Sequence, residues 1–362
     1  DGGDVADLDE INTHIMGVVK KAFEGGGHGT VEGDWGGHVE PRLAPGLPVI
    51  TKKAVAEICT PKVAMSSAVE AFTSLSDGSV TSPVPLQISF PGLGSACIKP
   101  GWVHSSPYYV VKVASSFPQN ASLRIPTGTG CVLVLSARTG GPVALLKDEG
   151  HMTDVRTAAA AGGDITVGVV GGGAVAKLVG VMCGEIGGVA LVKCWSRSSG
   201  TKEDFKRAVA PEIPTAQVQI VGSVKDAVRD CDVVFTVTPS TTPLVEEAGW
   251  IKEGAVVVAV GSDTPGKREL GEGLLERVRG GVERNDGSSM ICDTVENVIK
   301  LGEFQYLHPA SHSSLVTLGD VITGKKTIER GKGVKIVDLT GAGAQDAAIA
   351  GKVMEKWDNK VE

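Results

Sequence analysis

With 362 residues, 42% of them hydrophobic and 21% charged, the chain has the length of about two domains and enough apolar residues for a sizeable core. A formal net charge of −7, the lack of a dense Lys/Arg stripe and an aromatic content of only 4% exclude nucleic acid as the main partner. No run approaches the ~18 apolar residues needed to cross a bilayer, so no membrane partner is expected.

Residues 1–47 stand apart in composition. INTHIMGVVKKAF reads as an amphipathic helix and the following GGGHGTVEGDWGGHVEPRLAPG as an irregular arm, packed on a neighbouring subunit. His28 and His38 lack ligand spacing and read as solvated loop residues, and no metal site is expected. From Leu47 the text becomes regular. LPVITKKAVAEICT and PKVAMSSAVEAFTSL predict a strand and helix stopped by DGS. SPVPLQISFPGLGSACIKPGW, YYVVKVASSFPQN and GCVLVLSARTGGPVALLKDEG predict strands parted by Gly/Pro turns, the last a hairpin about TGG. Lys112, inside YYVVKVA, must either snorkel outward or meet an anion. Arg156 precedes a run of alanines in HMTDVRTAAAAG, a predicted small-residue helix. For both, a structural ion pair is the alternative to a ligand contact.

ITVGVVGGGAVA, residues 165–176, is an apolar strand breaking into glycines and then a helical pattern. Gly171, Gly173 and Ala176 fill the small positions of G-x-G-x-x-A, where the chain turns tightly, backbone N–H groups approach a pyrophosphate, and helix packs close to strand. Gly171, Gly172, Gly173, Ala174 and Val175 are therefore the expected phosphate cradle at a helix N-terminus. The next strand, GVALVKCWSR, ends about 20 residues on, where an acid normally reads the ribose of NAD. Here Ser196 and Arg197 stand with Lys202 nearby, which suits the 2′-phosphate of NADP; the alternative for Arg197 is a solvated strand-end charge. QVQIVGS, CDVVFTVTPS and GAVVVAVGSD continue as buried parallel strands, so Thr238, Pro239, Ser262 and Asp263 are expected at the ligand edge of the sheet. Asp263 has a second reading, as a cap for TPGKRELG. ERNDGSSMICDTVENVIKLGEF predicts a further strand and helix, and VKIVDLTGAGAQDAAIAGKVMEKW a strand, a glycine turn and a helix returning to the first domain. GAGAQD is read as a turn that lets backbone approach a ligand, not as a second nucleotide site. Cys59, Cys97, Cys131, Cys183, Cys194, Cys231 and Cys292 form no C-x-x-C pair and read as small core residues in a reducing compartment. A cytoplasmic location is expected, with a trimmed targeting segment left open because the chain begins at Asp1 without Met.

On VVKVASSFPQN, HMTDVRTAAAAG, VVGGGAVA, VFTVTPSTTPLV, VAVGSDTPGKREL and VDLTGAGAQDAAIA, in that order, the sequence resembles the ornithine cyclodeaminase/mu-crystallin family over residues 48 to 362. The resemblance implies an α/β fold: a Rossmann NAD(P)-binding domain, residues 164–317, joined to a mixed α/β substrate and dimerisation domain, residues 48–163 with 318–362, after the extension 1–47. It implies a homodimer with NADP or NAD as cofactor and a small amino or imino acid as substrate. Lys112 and Arg156 would grip the substrate carboxylate, with Lys112 and Asp263 at the reacting centre and Asp263 serving the amine or imine. Two departures bear on the substrate. Gln87 stands where the family commonly has another carboxylate-binding Arg, and Lys99 precedes Pro100 where Met is usual. Lys99 either points inward, reading a second carboxylate such as that of a short dicarboxylic imine, or is a solvated turn residue.

The expected chemistry is hydride transfer between NAD(P)(H) and the α-carbon of an amino or imino acid, as in an imine or ketimine reductase or an amino-acid dehydrogenase. The alternatives are an ornithine-type cyclodeaminase that recycles bound NAD and a mu-crystallin-like small-ligand-binding protein. Lys112, Arg156 and Asp263 favour an enzyme, and Arg197 favours a cofactor exchanged with solution.

Overall fold

The computed structural model describes residues 47–148, 165–186 and 188–361. The amphipathic segment and arm of residues 1–46, His28 and His38 among them, and the HMTDVRTAAAAG segment with Arg156, lie outside the described residues.

The first layer opens with β1 (Val49–Thr51), α1 (Lys52–Ile58) and α2 (Pro61–Asp77). Thr60 caps α2 by accepting from the Val63 N–H, Pro61 occupies the first turn, and Gly78 ends the helix at φ 78°, the start and stop signals expected of these residue types. Then come β2 (Val80–Thr81), β3 (Leu86–Phe90), β4 (Gly94–Val103), β5 (Tyr108–Ser116), β6 (Gly128–Ser136) and β7 (Pro142–Lys147). They make a seven-stranded sheet in the order β1-β7-β6-β5-β4-β2, with β3 also on β4. The β6/β7 hairpin turns at TGG as expected.

Alternation gives this sheet two unlike faces. One carries Val110, Val132, Val134, Ala144 and Leu146, all fully buried. The other presents Leu86, Ile88 and Phe90, 58%, 39% and 36% exposed, beside the half-buried Val111, Val113, Leu133 and Leu145.

The second layer runs β8 (Ile165–Val170), α3 (Ala174–Ile186), β9 (Val189–Trp195), α4 (Ser199–Val209), β10 (Gln217–Ile220), α5 (Val224–Val228), β11 (Val233–Thr236) and β12 (Val256–Ala259). It continues with α6 (Glu272–Arg284), β13 (Ser289–Cys292), α7 (Val295–Leu301), β14 (Val316–Thr317), α8 (Leu318–Ile322), β15 (Lys335–Asp338) and α9 (Gly343–Val361). The eight strands order β10-β9-β8-β11-β12-β15-β13-β14, and every pairing is parallel. The order reverses between β8 and β11, the position at which doubly wound sheets open a ligand crevice. The fold is thus the expected α/β combination of a Rossmann-like parallel sheet and a mixed sheet.

The C-terminal segment divides differently from the expected boundary. β15 lies inside the parallel sheet between β12 and β13, although residues 318–362 were all expected in the substrate domain. Its KIVD residues are all buried, with Ile336 and Val337 on opposite faces, and a strand buried on both sides is stabilised only between two covered faces. Only after Asp338 does the chain cross, and α9 packs on α2, β4 and β5. No helix among the described residues is long and apolar enough to span a membrane.

Candidate active site

The carboxyl ends of β8, β9, β11 and β12 place four turns along one edge. After β8, Gly171 adopts φ 136°, and a Cβ there would lie 2.6 Å from the Val237 carbonyl oxygen, so only glycine fits. Gly172 abuts Ser196 and the Thr201 carbonyl, whereas no protein atom lies within 4 Å of a Cβ built on Gly173. That open side adjoins the N-terminus of α3, which starts at Ala174 without an acid in its first turn. Backbone donors, helix dipole and vacant volume together fit a dinucleotide pyrophosphate. Ala174 and Val175 form the first residues of that helix. At the end of β9, Ser196 is buried with its hydroxyl 2.6 Å from Thr201 Oγ1, while Arg197 is exposed at the start of the turn into α4.

After β11 and β12 the turns carry Thr238, Pro239, Ser262 and Asp263. Their hydroxyls are engaged within the protein: Thr238 Oγ1 donates to Glu269 Oε1 at 2.7 Å, and Ser262 Oγ to the Lys267 carbonyl at 2.9 Å. Pro239 is exposed at the edge. Asp263 does not cap a helix. α6 begins at Glu272 with Gly271 as its N-cap, and Asp263 instead pairs with Lys267 at 2.6 Å, its side chain 43% exposed.

The buried face of the mixed sheet faces this edge. Gln87 pairs with Cys97 across β3/β4, and Lys99 with Lys112 across β4/β5, so by the two-residue period Gln87, Cys97, Lys99 and Lys112 share that face. Lys112 is 3% exposed, and its ammonium lies 2.9 and 2.8 Å from the two oxygens of Asp346 on α9, itself 1% exposed. Lys99 is 6% exposed and donates to the Thr340 and Gly341 carbonyls at 2.9 and 3.1 Å. It is therefore an inward residue of β4, and the solvated-turn reading is excluded. Gln87 Nε2 donates to Cys97 Sγ at 3.3 Å. Burial pushes the Cys97 thiol up; Lys99 and Lys112 pull it down, and Asp263 and Asp346 push it further up.

Behind the edge lies a row of carboxylates. Glu269, fully buried, accepts from Thr236, Thr238 and Gly261. Glu303 accepts from the Glu269 and Leu270 N–H groups at 2.6 and 3.2 Å. Asp338 accepts from the Phe304 N–H at 2.9 Å, and Asp293 from the Gly341 N–H at 2.5 Å. Burial raises Glu269, lifts Glu303 to about 7 and holds Asp338 well above the usual carboxylate range.

Asp346, Cys97 and Glu269 are the site residues that sequence reasoning missed. Asp346 stands in the GAGAQD stretch, where an acid in a first helical turn is ordinary. Cys97 was read as core, although its alternation with Lys99 carried the signal. Among the described residues no three His, Cys, Asp or Glu side chains form a group suited to a metal ion.

Comparison with known proteins matches residues 48–361 to the model of the Ornithine cyclodeaminase/mu-crystallin family. An uncharacterized cyclodeaminase of Sinorhizobium fredii is 28% identical over 310 residues, covering 80% of this chain and 89% of that protein. The alanine dehydrogenase of Archaeoglobus fulgidus is 27% identical over 324 residues, covering 85% and 94%. Among solved structures, an archaeal alanine dehydrogenase dimer with bound NAD superposes with a TM-score of 0.76 at 25% identity, over 87% of this chain and 97% of that one.

Proposed function

The chain belongs to the ornithine cyclodeaminase/mu-crystallin family, and from that premise we propose that it is an NAD(P)H-dependent oxidoreductase acting on the C–N bond of a small α-amino or imino acid. The observation that carries the reading is the buried Lys112–Asp346 pair with inward Lys99 beside it on one sheet face, together with a glycine turn whose open side fits a pyrophosphate. When bound, the nicotinamide supplies or accepts the hydride at the substrate α-carbon. Lys112, held in one rotamer by Asp346, and Arg156 bind the carboxylate and orient the α-carbon. Asp263 holds or moves the proton on the substrate nitrogen and stabilises an iminium cation. Its partial exposure and contact with Lys267 give that proton a route to solvent.

Lys99 favours a substrate with a second anionic group. It brings another buried ammonium to the face that carries Lys112, and two carbonyl oxygens hold it. A short dicarboxylic imine places its distal carboxylate there, with Gln87 alongside. For the cofactor we propose NADP over NAD, because exposed Arg197 with Lys202 at the first turn of α4 and no acid in that turn favours a 2′-phosphate. We also propose a homodimer through the open apolar face of the mixed sheet, around Leu86, Ile88 and Phe90; Leu86→Glu with Ile88→Lys would give a monomer by sedimentation.

The test is oxidation of NADPH and NADH against 2-oxo acids with ammonia or methylamine and against cyclic ketimines, with ornithine and lysine assayed for ammonia release. Turnover of an imine with consumption of reduced cofactor supports the proposal. Ammonia release without net cofactor change makes the chain a cyclodeaminase, and binding without turnover makes it a ligand-binding protein. In Lys99→Met, the kcat/KM preference for dicarboxylic over monocarboxylic substrate drops by about 2–5 kcal/mol, roughly 30-fold or more; an unchanged ratio removes the dicarboxylate reading.

A further inference from the structure

Two turns leave the carboxyl edge side by side, residues 237–240 after β11 and residues 260–264 after β12. Between them lies the Glu269 carboxylate, 0% exposed. Oε1 accepts from the Thr238 N–H and Thr238 Oγ1, both at 2.7 Å. Oε2 accepts from Thr236 Oγ1 at 2.9 Å and from the Gly261 N–H at 2.8 Å. A carboxylate has about four lone-pair sites, and here all are used, with one backbone donor on each oxygen. Glu269 is itself anchored, its N–H donating to Glu303 at 2.6 Å and its carbonyl accepting from Leu244 and Val245 at 2.8 and 3.0 Å. The turns it joins are in contact: a Cβ on Gly261 would lie 2.0 Å from the Thr238 carbonyl oxygen and 2.7 Å from Glu269 Cδ. Asp263 follows two residues later.

We propose that Glu269 is a positioning residue for the reaction, fixing the Thr238–Pro239 turn against Gly261 and thereby setting Asp263 relative to the cofactor-binding edge. The inference rests on the oxidoreductase reading for its catalytic consequence. Its physical basis is that charge-assisted bonds to backbone N–H groups in a dry site are short and stiff, and that a displacement of about 1 Å at a reacting group costs on the order of 10²-fold in rate. Glu269 reaches Asp263 only through the turn, so its loss acts on kcat more than on KM.

Glu269→Gln tests this directly. An amide has one oxygen and one NH2, and because each carboxylate oxygen receives a backbone N–H, either orientation sets NH2 against Thr238 or Gly261. The expected result is a folded protein with kcat lowered on the order of 10²-fold and KM little changed. Amide hydrogen exchange rises in residues 237–241 and 260–264, while β8 and β9 keep their protection. Val278→Ala, which opens a cavity under α6 at a fully buried site, lowers stability without touching either turn and keeps kcat. If Glu269→Gln does not fold, Thr236→Val takes its place. That change removes one donor from Oε2 at a fully buried strand position, and is expected to lower kcat by a smaller factor with faster exchange at Gly261. Unaltered kcat and exchange in the folded variant overturn the inference. A wild-type chain that oxidises neither cofactor with any substrate overturns the oxidoreductase reading instead, and the exchange data then decide by themselves whether Glu269 holds the two turns.

Discussion

On the sides that meet at the candidate site the two sheets bury opposite charges, and for different ends. Along the edge of the parallel sheet Glu269, Glu303, Asp338 and Asp293 are carboxylates whose partners include backbone N–H groups of neighbouring turns. On the facing side of the mixed sheet Lys99 and Lys112 are ammoniums supported from beyond their own strands, by the Thr340–Gly341 carbonyls and by Asp346. An anion that gathers N–H groups shapes a loop, because the donors are part of the chain it orders. A cation on a strand face gathers acceptors instead, backbone carbonyls as at Lys99 or a carboxylate as at Lys112. The acids therefore shape the edge, and reading an arriving anion is the role we propose for the lysines.

The sharpest way to break this division is at Lys112. Lys112→Met leaves Asp346 buried beside an apolar chain, which costs about 3–5 kcal/mol of stability, and removes the proposed carboxylate grip. In Lys112→Met with Asp346→Leu, chemical denaturation recovers most of the lost stability while activity stays absent. Recovery of activity with stability would make Lys112 a structural ion pair and nothing more. Next comes Asp263→Asn. With no helix to cap, it is expected to leave the melting temperature within a degree or two, to lower kcat on the order of 10²-fold and to preserve cofactor affinity by fluorescence titration. Unchanged turnover would remove Asp263 from the chemistry.

The acidic row makes a prediction about pH. Burial holds Glu303 up to about 7 against an ordinary 4.5. Between those values the folded chain keeps a proton that the unfolded chain releases, so stability falls as pH rises from about 4.5 to about 7. Glu303→Gln flattens this decline by about 3 kcal/mol across the window, read from urea midpoints at stepped pH. A decline as steep as in the wild type would mean that other groups carry it. The smallest effect is at the cofactor end: Arg197→Ala weakens NADPH by roughly tenfold, the loss of one exposed charge-assisted contact, and leaves NADH unchanged in the same titration. Equal loss for both cofactors would assign Arg197 no part in reading a 2′-phosphate.

Much of the parallel sheet was legible because its signals are local. An apolar run followed by G-x-G-x-x-A sets strand, turn and helix within a dozen residues, and the turns after β11 and β12 fall where their strands end. The mixed sheet was legible as strands, since Gly/Pro turns mark their limits, but not as a site. Lys99 facing Lys112 depends on the register of β4 on β5, and a slip of one residue would send either lysine to the open face. Asp346 and Glu269 were illegible for a related reason. One meets a lysine 234 positions away, and the other gathers donors from two turns that only the parallel pairing of β11 and β12 makes neighbours.

The sequence by itself determined the α/β class, the glycine turn after β8, the basic rather than acidic end of β9 and the edge position of Asp263, because each follows from residues close together in the chain. Tertiary structure decided that β15 belongs to the parallel sheet while α9 belongs to the other, that Lys99 points inward, and that Asp346 neutralises Lys112. Those outcomes depend on which faces are covered and which charges meet, and burial and Coulomb attraction act between whatever the fold brings together, whatever the distance along the chain.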